Sequence, residues 1–259
     1  MQAQLNGKVA VVLGASAEAG TGWAIAKALS AAGAKLVVAA RRLSELQARA
    51  GTIGATAVVC DAGQESQVED LAEAALRAYG RLDIAVNAAF SAVGSSIAEA
   101  SRDMLIAPIE VNYFGNVYFV KHMARAIGSD GSIVLISSSS AQNTILPYFP
   151  YACSKAALDC LVRYAALEYG PKKIRVNSIL PGAIRSEAAR ELWAMPGMEE
   201  LFSRDVPLGR IGEPADFADA VLWLAGAAYV TGLNLPISGG LHLTRSPLPS
   251  ELPGWGGIT

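Results

Sequence analysis

Tyr151 and Lys155 stand four residues apart in the run YACSK, a spacing that brings both side chains to one face of a helix. A free phenol has a pKa near ~10, too high to share a proton readily at neutral pH, and an adjacent ammonium favours the phenolate. The pair therefore predicts a tuned proton donor and acceptor, although an exposed helix face can carry the same spacing by chance. Ser138 lies thirteen residues before Tyr151, at the end of an apolar run. From there its hydroxyl can hydrogen-bond an oxygen of a bound molecule and stabilise charge developing on it. Ser137, Ser139 and Ser140 crowd the same turn, and the spacing to Tyr151 selects Ser138. No G-x-S-x-G elbow is present, and His122 and His242 carry no local triad signature, so serine hydrolysis is excluded.

A second constellation lies near the start, where Gly14, Ser16, Gly20, Thr21 and Gly22 separate the apolar run Val9 to Leu13 from a helical pattern over Trp23 to Ala32. Glycines there let backbone N–H groups and the helix N-terminus approach a pyrophosphate; the plain alternative is a tight strand-to-helix turn without a ligand. An acidic residue ending the second strand would accept hydrogen bonds from ribose hydroxyls and repel a 2′-phosphate. Ala40 holds that position and is followed by Arg41 and Arg42, whose guanidinium groups can grip the phosphate. NADP(H) is therefore favoured, and NAD(H) is the alternative if both arginines are only solvated charges.

These residues need a scaffold that alternates strand and helix. Apolar runs at Lys35 to Ala40, Ala57 to Val59, Ile84 to Val86, Ile133 to Ile136, Arg175 to Leu180 and Leu233 to Ile237 read as buried strands. Helical patterns fall between them at Ser44 to Arg49, Gln67 to Tyr79, Met104 to Ile127, Tyr151 to Tyr169 and Pro214 to Ala225. Right-handed crossovers then give an α/β fold: a Rossmann-like, doubly wound parallel sheet of about seven strands with helices on both faces. It reads as a single domain over residues 1–245, with an irregular 185–207 segment and a Pro/Gly-rich tail at 246–259. Leu192, Trp193, Met195, Met198, Leu201 and Phe202 in the 185–207 segment suit either a lid over an apolar substrate or core filling. Phe90, Val93, Tyr148 and Phe149 are candidates to line the remaining pocket and point to an apolar or cyclic substrate. Pro247, Pro249 and Pro253 bar a regular helix in the tail, where Trp255 is expected either to fray or to pack on a neighbouring subunit or over the active site.

Composition narrows the function classes. Twenty-one basic against 23 acidic residues leave a net charge of −2, so neither nucleic acid nor an anionic membrane is an expected partner. Hydrophobic residues make up 52% and charged residues 17%, which fits one large core. No signal sequence or bilayer-spanning run is read, so a cytoplasmic location is expected. Cys60, Cys153 and Cys160 show no paired or metal-binding spacing, so neither a disulfide nor a metal site is expected.

Taken in order, Gly14, GTG at 20–22, DA at 61–62, VN at 86–87, VNYFG at 111–115, ISS at 136–138, YACSK at 151–155 and LPG at 180–182 resemble the short-chain dehydrogenase/reductase family over nearly the whole chain. Two departures stand out: two extra residues precede Gly20, and the family's Asn-Asn-Ala-Gly reads Asn87-Ala88-Ala89-Phe90. The resemblance implies hydride transfer between a nicotinamide cofactor and a carbonyl or alcohol. It implies that Tyr151 is the acid and base, that Lys155 also holds the nicotinamide ribose, and that Asn112 supports a proton relay near the lysine. By the same resemblance Asp61 and Ala62 border the adenine, Asn87 and Ala88 the adenosine ribose, and Pro181, Gly182 and Ile184 the nicotinamide. Assembly as a homotetramer or dimer through the helices near 104–127 and 151–169 is likewise implied. Within enzymes, the rival reading is an enoyl-thioester reductase using Tyr148, seven residues before Lys155, which the stretched glycine loop and GAIRS at 182–186 also resemble. The rival from another class is a non-catalytic, cofactor-sensing binding protein.

Overall fold

A computed structural model describes residues 4–251. Seven parallel strands form one sheet in the order β3-β2-β1-β4-β5-β6-β7. They are β1 (Val9–Leu13), β2 (Lys35–Ala40), β3 (Thr56–Val59), β4 (Ile84–Asn87), β5 (Ser132–Ile136), β6 (Arg175–Pro181) and β7 (Asn234–Ile237). Helices α1 (Thr21–Ala31), α2 (Leu43–Thr52) and α9 (Pro214–Gly226) cover one face, while α3 (Glu65–Tyr79), α5 (Gly115–Ile127) and α6 (Phe149–Tyr169) cover the other. The side-chain period of a strand divides β1 between them: Val9, Val11 and Leu13 enter the α3/α5/α6 core, Ala10 and Val12 the α1/α9 core. Both faces are thus buried, which explains why the strands read as unbroken apolar runs.

Strand order reverses between β1 and β4, and the crevice at such a point is where open α/β sheets bind ligands. Leu13 pairs with both Ala39 and Asn87, so the ends of β2, β1 and β4 finish level with one another. The glycine turn fills this crevice by necessity. A Cβ on Gly14 (φ +91°) would lie 2.5 Å from the Ala89 nitrogen, and one on Gly22 would lie 2.3 Å from the Gly14 carbonyl oxygen.

At the opposite edge, Asp83 ties β4 to the start of β1. Its carboxylate accepts from the Val9 N–H and the Lys8 ammonium, each at 3.0 Å, and from Arg81 Nε at 2.9 Å. Burial alone would raise the Asp83 pKa, but these donors outweigh it and hold the group below the usual carboxylate range. Its contribution is therefore complete above the unfolded pKa near ~3.9 and fades as pH falls through the lower folded value. Asp83→Asn should cost about 1–3 kcal/mol in urea unfolding at pH 7, with the difference from wild type closing as the pH drops below about 4.

The sequence pattern predicts one helix over 104–127, and the structure interrupts it. Helix α4 (Arg102–Ile109) carries Pro108, which supplies no backbone donor, and a π turn follows over Glu110–Phe114 before α5 begins. That wide turn holds Asn112 fully inside the protein. The 185–207 segment contains two short helices, α7 (Arg190–Trp193) and α8 (Met198–Arg204).

Candidate active site

Helix α6 begins beside the end of β5, which brings Tyr151 and Lys155 to the exit of the strand that delivers Ser138. Lys155 is buried; its ammonium donates to the Ile136 carbonyl at 2.6 Å and lies 5.6 Å from the centre of the Tyr151 ring. The Ser138 hydroxyl lies beside the Tyr151 phenol and favours its ionised form. Ser140 donates to Ser138 Oγ twice, from its N–H at 3.2 Å and its hydroxyl at 2.9 Å. Those two bonds occupy the acceptor side of Ser138 and leave its own proton to point at Tyr151 or a bound oxygen.

The acidities differ from the expectation of a lowered tyrosine. Burial pushes the Tyr151 phenol up to about 12, and burial also brings the Lys155 ammonium down to about 7. Desolvation of each charged form outweighs the help each would give the other, because the ammonium is turned to the Ile136 carbonyl rather than to the phenol oxygen. Burial thus favours the neutral phenol of Tyr151.

Asn112 does not reach Lys155 directly. Its Nδ2 donates to the Ser91 carbonyl at 2.7 Å and to Ser154 Oγ at 2.9 Å, and its Oδ1 accepts from the Ser91 N–H at 2.9 Å. Its backbone carbonyl accepts from Asn116, whose Oδ1 in turn accepts from Asn87 at 3.0 Å. Ser154 then donates to the Tyr151 carbonyl at 2.7 Å. A buried chain of amides therefore runs from the end of β4 to the first turns of α6. Asn116 and Ser154 carry it, and neither stands out in the sequence beyond lying four residues after Asn112 and one before Lys155.

Next to this constellation, a cleft of about 780 Å³ opens over the carboxyl ends of β1, β2 and β4. Gly14, Ser16, Arg41, Arg42, Asp61, Ala62 and Ala88 all line it, together with Ala40, Phe90 and Ser91. Asn87 is buried behind the wall, with Oδ1 accepting from the Ala89 N–H at 3.0 Å. Gly20, Thr21 and Gly22 shape the turn without lining the cleft, and Asp61 closes its own loop by accepting from the Gly63 N–H at 3.0 Å. Pro181, Gly182 and Ile184 lie at the ends of β6 and β7, outside this cleft, where the Gly182 N–H donates to the Ile237 carbonyl at 3.1 Å.

Arg42 reaches Ser16 Oγ at 3.4 Å and pairs with Glu45 at 3.3 Å. Arg49 of α2, a residue unmarked in the sequence except by its spacing from Glu45, donates to the Ser16 carbonyl. The extended glycine loop thus has its own anchor. Its Ala19 carbonyl accepts from the Glu187 N–H at 3.2 Å, which brings the 185–207 segment onto the cleft beside Glu187 and Ala188.

The chain as a whole is similar to known proteins. A family model described as Enoyl-(Acyl carrier protein) reductase matches residues 14–242. A 3-oxoacyl-[acyl-carrier-protein] reductase of Bos taurus is 32% identical over 247 residues, covering 92% of this chain and 99% of the relative. The 7alpha-hydroxysteroid dehydrogenase of Escherichia coli is 35% identical over 252 residues, covering 92% and 95%. The chain is a short-chain dehydrogenase/reductase. A solved short-chain type dehydrogenase/reductase from Mycobacterium ulcerans superposes on it with a TM-score of 0.89 at 28% identity, over 95% of this chain and 94% of the other.

In this short-chain dehydrogenase/reductase the apolar residues of 185–207 pack mainly on one another. Met198 and Phe202 are buried with Ile211, the partly buried Leu192, Trp193 and Leu201 pack against them, and the Trp193 and Phe202 rings meet edge to face at 5.3 Å. Arg185 bridges this small core to the rest of the fold by pairing with Glu199 on α8 and with Glu213 at 2.8 Å. Tyr148 caps the start of α6 and is partly exposed, its N–H bonded to the Ile145 carbonyl at 3.0 Å. At the other end of the chain, Glu251 is paired with Arg245 at 2.7 Å and with Arg204 of α8 at 2.9 Å. Trp255 and Pro253 lie outside the described residues. Among the described residues no helix is long and apolar enough to cross a membrane, and no group of three ligating side chains could hold a metal ion.

Proposed function

We propose that the enzyme transfers a hydride between NADP(H) and the carbonyl or secondary alcohol carbon of an apolar or cyclic substrate. The observation that carries this reading is the convergence of Ser138, Tyr151 and Lys155 at the end of β5, beside a cleft walled by Arg41 and Arg42. The cofactor fits what the chain offers there: a crevice over the sheet edge, glycines where side chains would obstruct, and two guanidinium groups beside Ser16.

When bound, the nicotinamide supplies or accepts the hydride. In reduction the neutral Tyr151 hydroxyl gives its proton to the carbonyl oxygen, and Ser138 stabilises the charge gathering on that oxygen. Lys155 holds the nicotinamide ribose and keeps positive charge near Tyr151, while Asn112 supports a proton relay. Oxidation reverses each transfer. Ser16, Gly14, Gly20, Thr21 and Gly22 hold the pyrophosphate end; Asp61, Ala62, Asn87 and Ala88 border the adenosine; Pro181, Gly182 and Ile184 border the nicotinamide. The 185–207 segment serves as the lid of the 1–245 domain, supported by the hydrogen bond that joins it to the glycine loop. A cytoplasmic homotetramer or dimer is part of the same reading, supported by Tyr164 and Leu167, which are 71% and 80% exposed on α6.

Separate titrations with NADPH and NADH, followed by absorbance decay on cyclic, aromatic and acyl-thioester carbonyl compounds, test the proposal. Tight NADPH binding with ketone turnover is expected. NADH preference would reduce Arg41 and Arg42 to surface charges, and binding without turnover would favour a cofactor sensor.

The description of the matching family model favours one second reading, reduction of an enoyl thioester through Tyr148. Tyr148→Phe should leave carbonyl turnover within about threefold of wild type, since its hydroxyl takes no part in that chemistry. Loss of enoyl-thioester turnover in Tyr148→Phe, with Tyr151→Phe still active, would establish the second reading instead.

A further inference from the structure

Helix α6 buries a second ionisable residue one turn beyond Lys155, and the reaction described above makes no use of it. Asp159 is almost fully enclosed, and its Oδ1 accepts from the Ser137 hydroxyl at 2.5 Å. Asn234 at the start of β7 and Arg163 one turn further along α6 both donate to its backbone carbonyl, at 3.1 and 3.0 Å. The residue is thus fixed from three elements. Ser137 sits between Ile136, whose carbonyl holds the lysine, and the catalytic Ser138. An ionisable side chain in such a place costs several kcal/mol of desolvation unless something compensates, so an apolar residue there would serve packing better.

We infer that Asp159 is a positioning residue, a buried counter-charge that keeps Lys155 protonated while its bond to Ser137 locks the strand end carrying Ser138 against α6. The inference rests on the catalytic reading of Lys155 given above. Asp159 lies one turn along α6 from Lys155 and opposes the loss of its charge, while the ammonium itself meets the Tyr151 ring and the neutral Ile136 carbonyl. Burial drives Lys155 toward losing its proton and Asp159 toward gaining one, and each opposes that tendency in the other. Ser137, Gln142 and Arg163 add to the forces holding Asp159 ionised. Removing the carboxylate leaves desolvation of the ammonium uncompensated, so Lys155 sheds its proton at lower pH.

The test reads the lysine itself, independently of turnover. In full-length protein with 13C-labelled lysine side chains, the Lys155 resonance is assigned by its loss in Lys155→Met and followed through a pH titration. Asp159→Asn should move its midpoint down by about 1 unit or more, and Asp159→Glu should return it most of the way. The alkaline limb of the kcat/KM profile for carbonyl reduction should move down with it. A folded Asp159→Asn protein whose Lys155 midpoint stays where it was overturns the inference, as does a uniform drop in kcat with an unmoved pH profile. If Asp159→Asn does not fold, Ser137→Ala carries the test, with a smaller downward shift expected and no shift overturning it. Absence of ketone turnover in the wild type would instead count against the catalytic reading, leaving the Lys155 titration to decide the charge relation alone.

Discussion

Tyr151→Phe is expected to lower kcat for carbonyl reduction by about 10²–10⁴-fold, the usual contribution of a positioned general acid. KM and NADPH binding should change little, because Phe keeps the ring that packs under the ammonium and deletes only the hydroxyl beside Ser138. The direction of the pH dependence follows from the same site. Burial favours the neutral phenol, which is the form the proposed reduction consumes, so reduction should be fastest at the acid side and decline as pH rises, first as Lys155 loses its charge and then as the phenol ionises. Alcohol oxidation needs the phenolate and must climb with pH over the same range. Stopped-flow measurement of both directions on one substrate pair checks the signs together; parallel profiles would show that a different group handles the proton.

The second large effect concerns the cofactor. Replacing Arg41 and Arg42 together by alanine should weaken NADPH binding by about 10- to 100-fold and leave NADH binding nearly unchanged, narrowing or reversing the preference. Both guanidinium groups sit on the cleft wall, but Arg42 is more than half exposed and shares its charge with Glu45, so the effect belongs at the lower end for that residue. The wild-type preference should also shrink as ionic strength rises, since a solvent-facing phosphate contact is screened. Fluorescence titration at two salt concentrations reads both effects. Equal losses for NADPH and NADH would mean that the arginines hold the adenine end without sensing the phosphate.

Much of this architecture is legible in the chain because the central strands had to be buried on two faces. Val9 to Leu13 and Leu36 to Ala40 are buried throughout, with only Lys35 at the start of β2 reaching solvent, so their position could be read directly. Tyr151 and Lys155 were legible for a different reason: four residues of α-helix bring them to one face regardless of what surrounds them. Other features depend on partners far away in sequence. Arg49 meets the glycine loop only because β2 and α2 fold back on β1, 33 residues from Ser16. Asp159 looks like a helix-surface acid until the end of β5 lands on it. The expected lowering of Tyr151 failed on the same ground. Local spacing reveals a nearby ammonium, but the desolvation that outweighs it comes from the whole surround. The π turn at 110–114 is built around Asn112, which is seated among Ser91 of the loop after β4, Asn116 of α5 and Ser154 of α6.

The bond between the Glu187 N–H and the Ala19 carbonyl has a kinetic meaning. Ala19 belongs to the lengthened glycine loop, so the bond joins that loop to the 185–207 segment, which the proposal places over pyrophosphate and substrate. In the proposed complex, that bond and the Arg185 pairs to Glu199 and Glu213 would have to open before a dinucleotide leaves, whereas a small carbonyl compound would not be held by them. Turnover should therefore be ordered, with the cofactor binding first and departing last. Its departure would set the pace for good substrates, and the enzyme would pass much of its cycle waiting with spent cofactor in place.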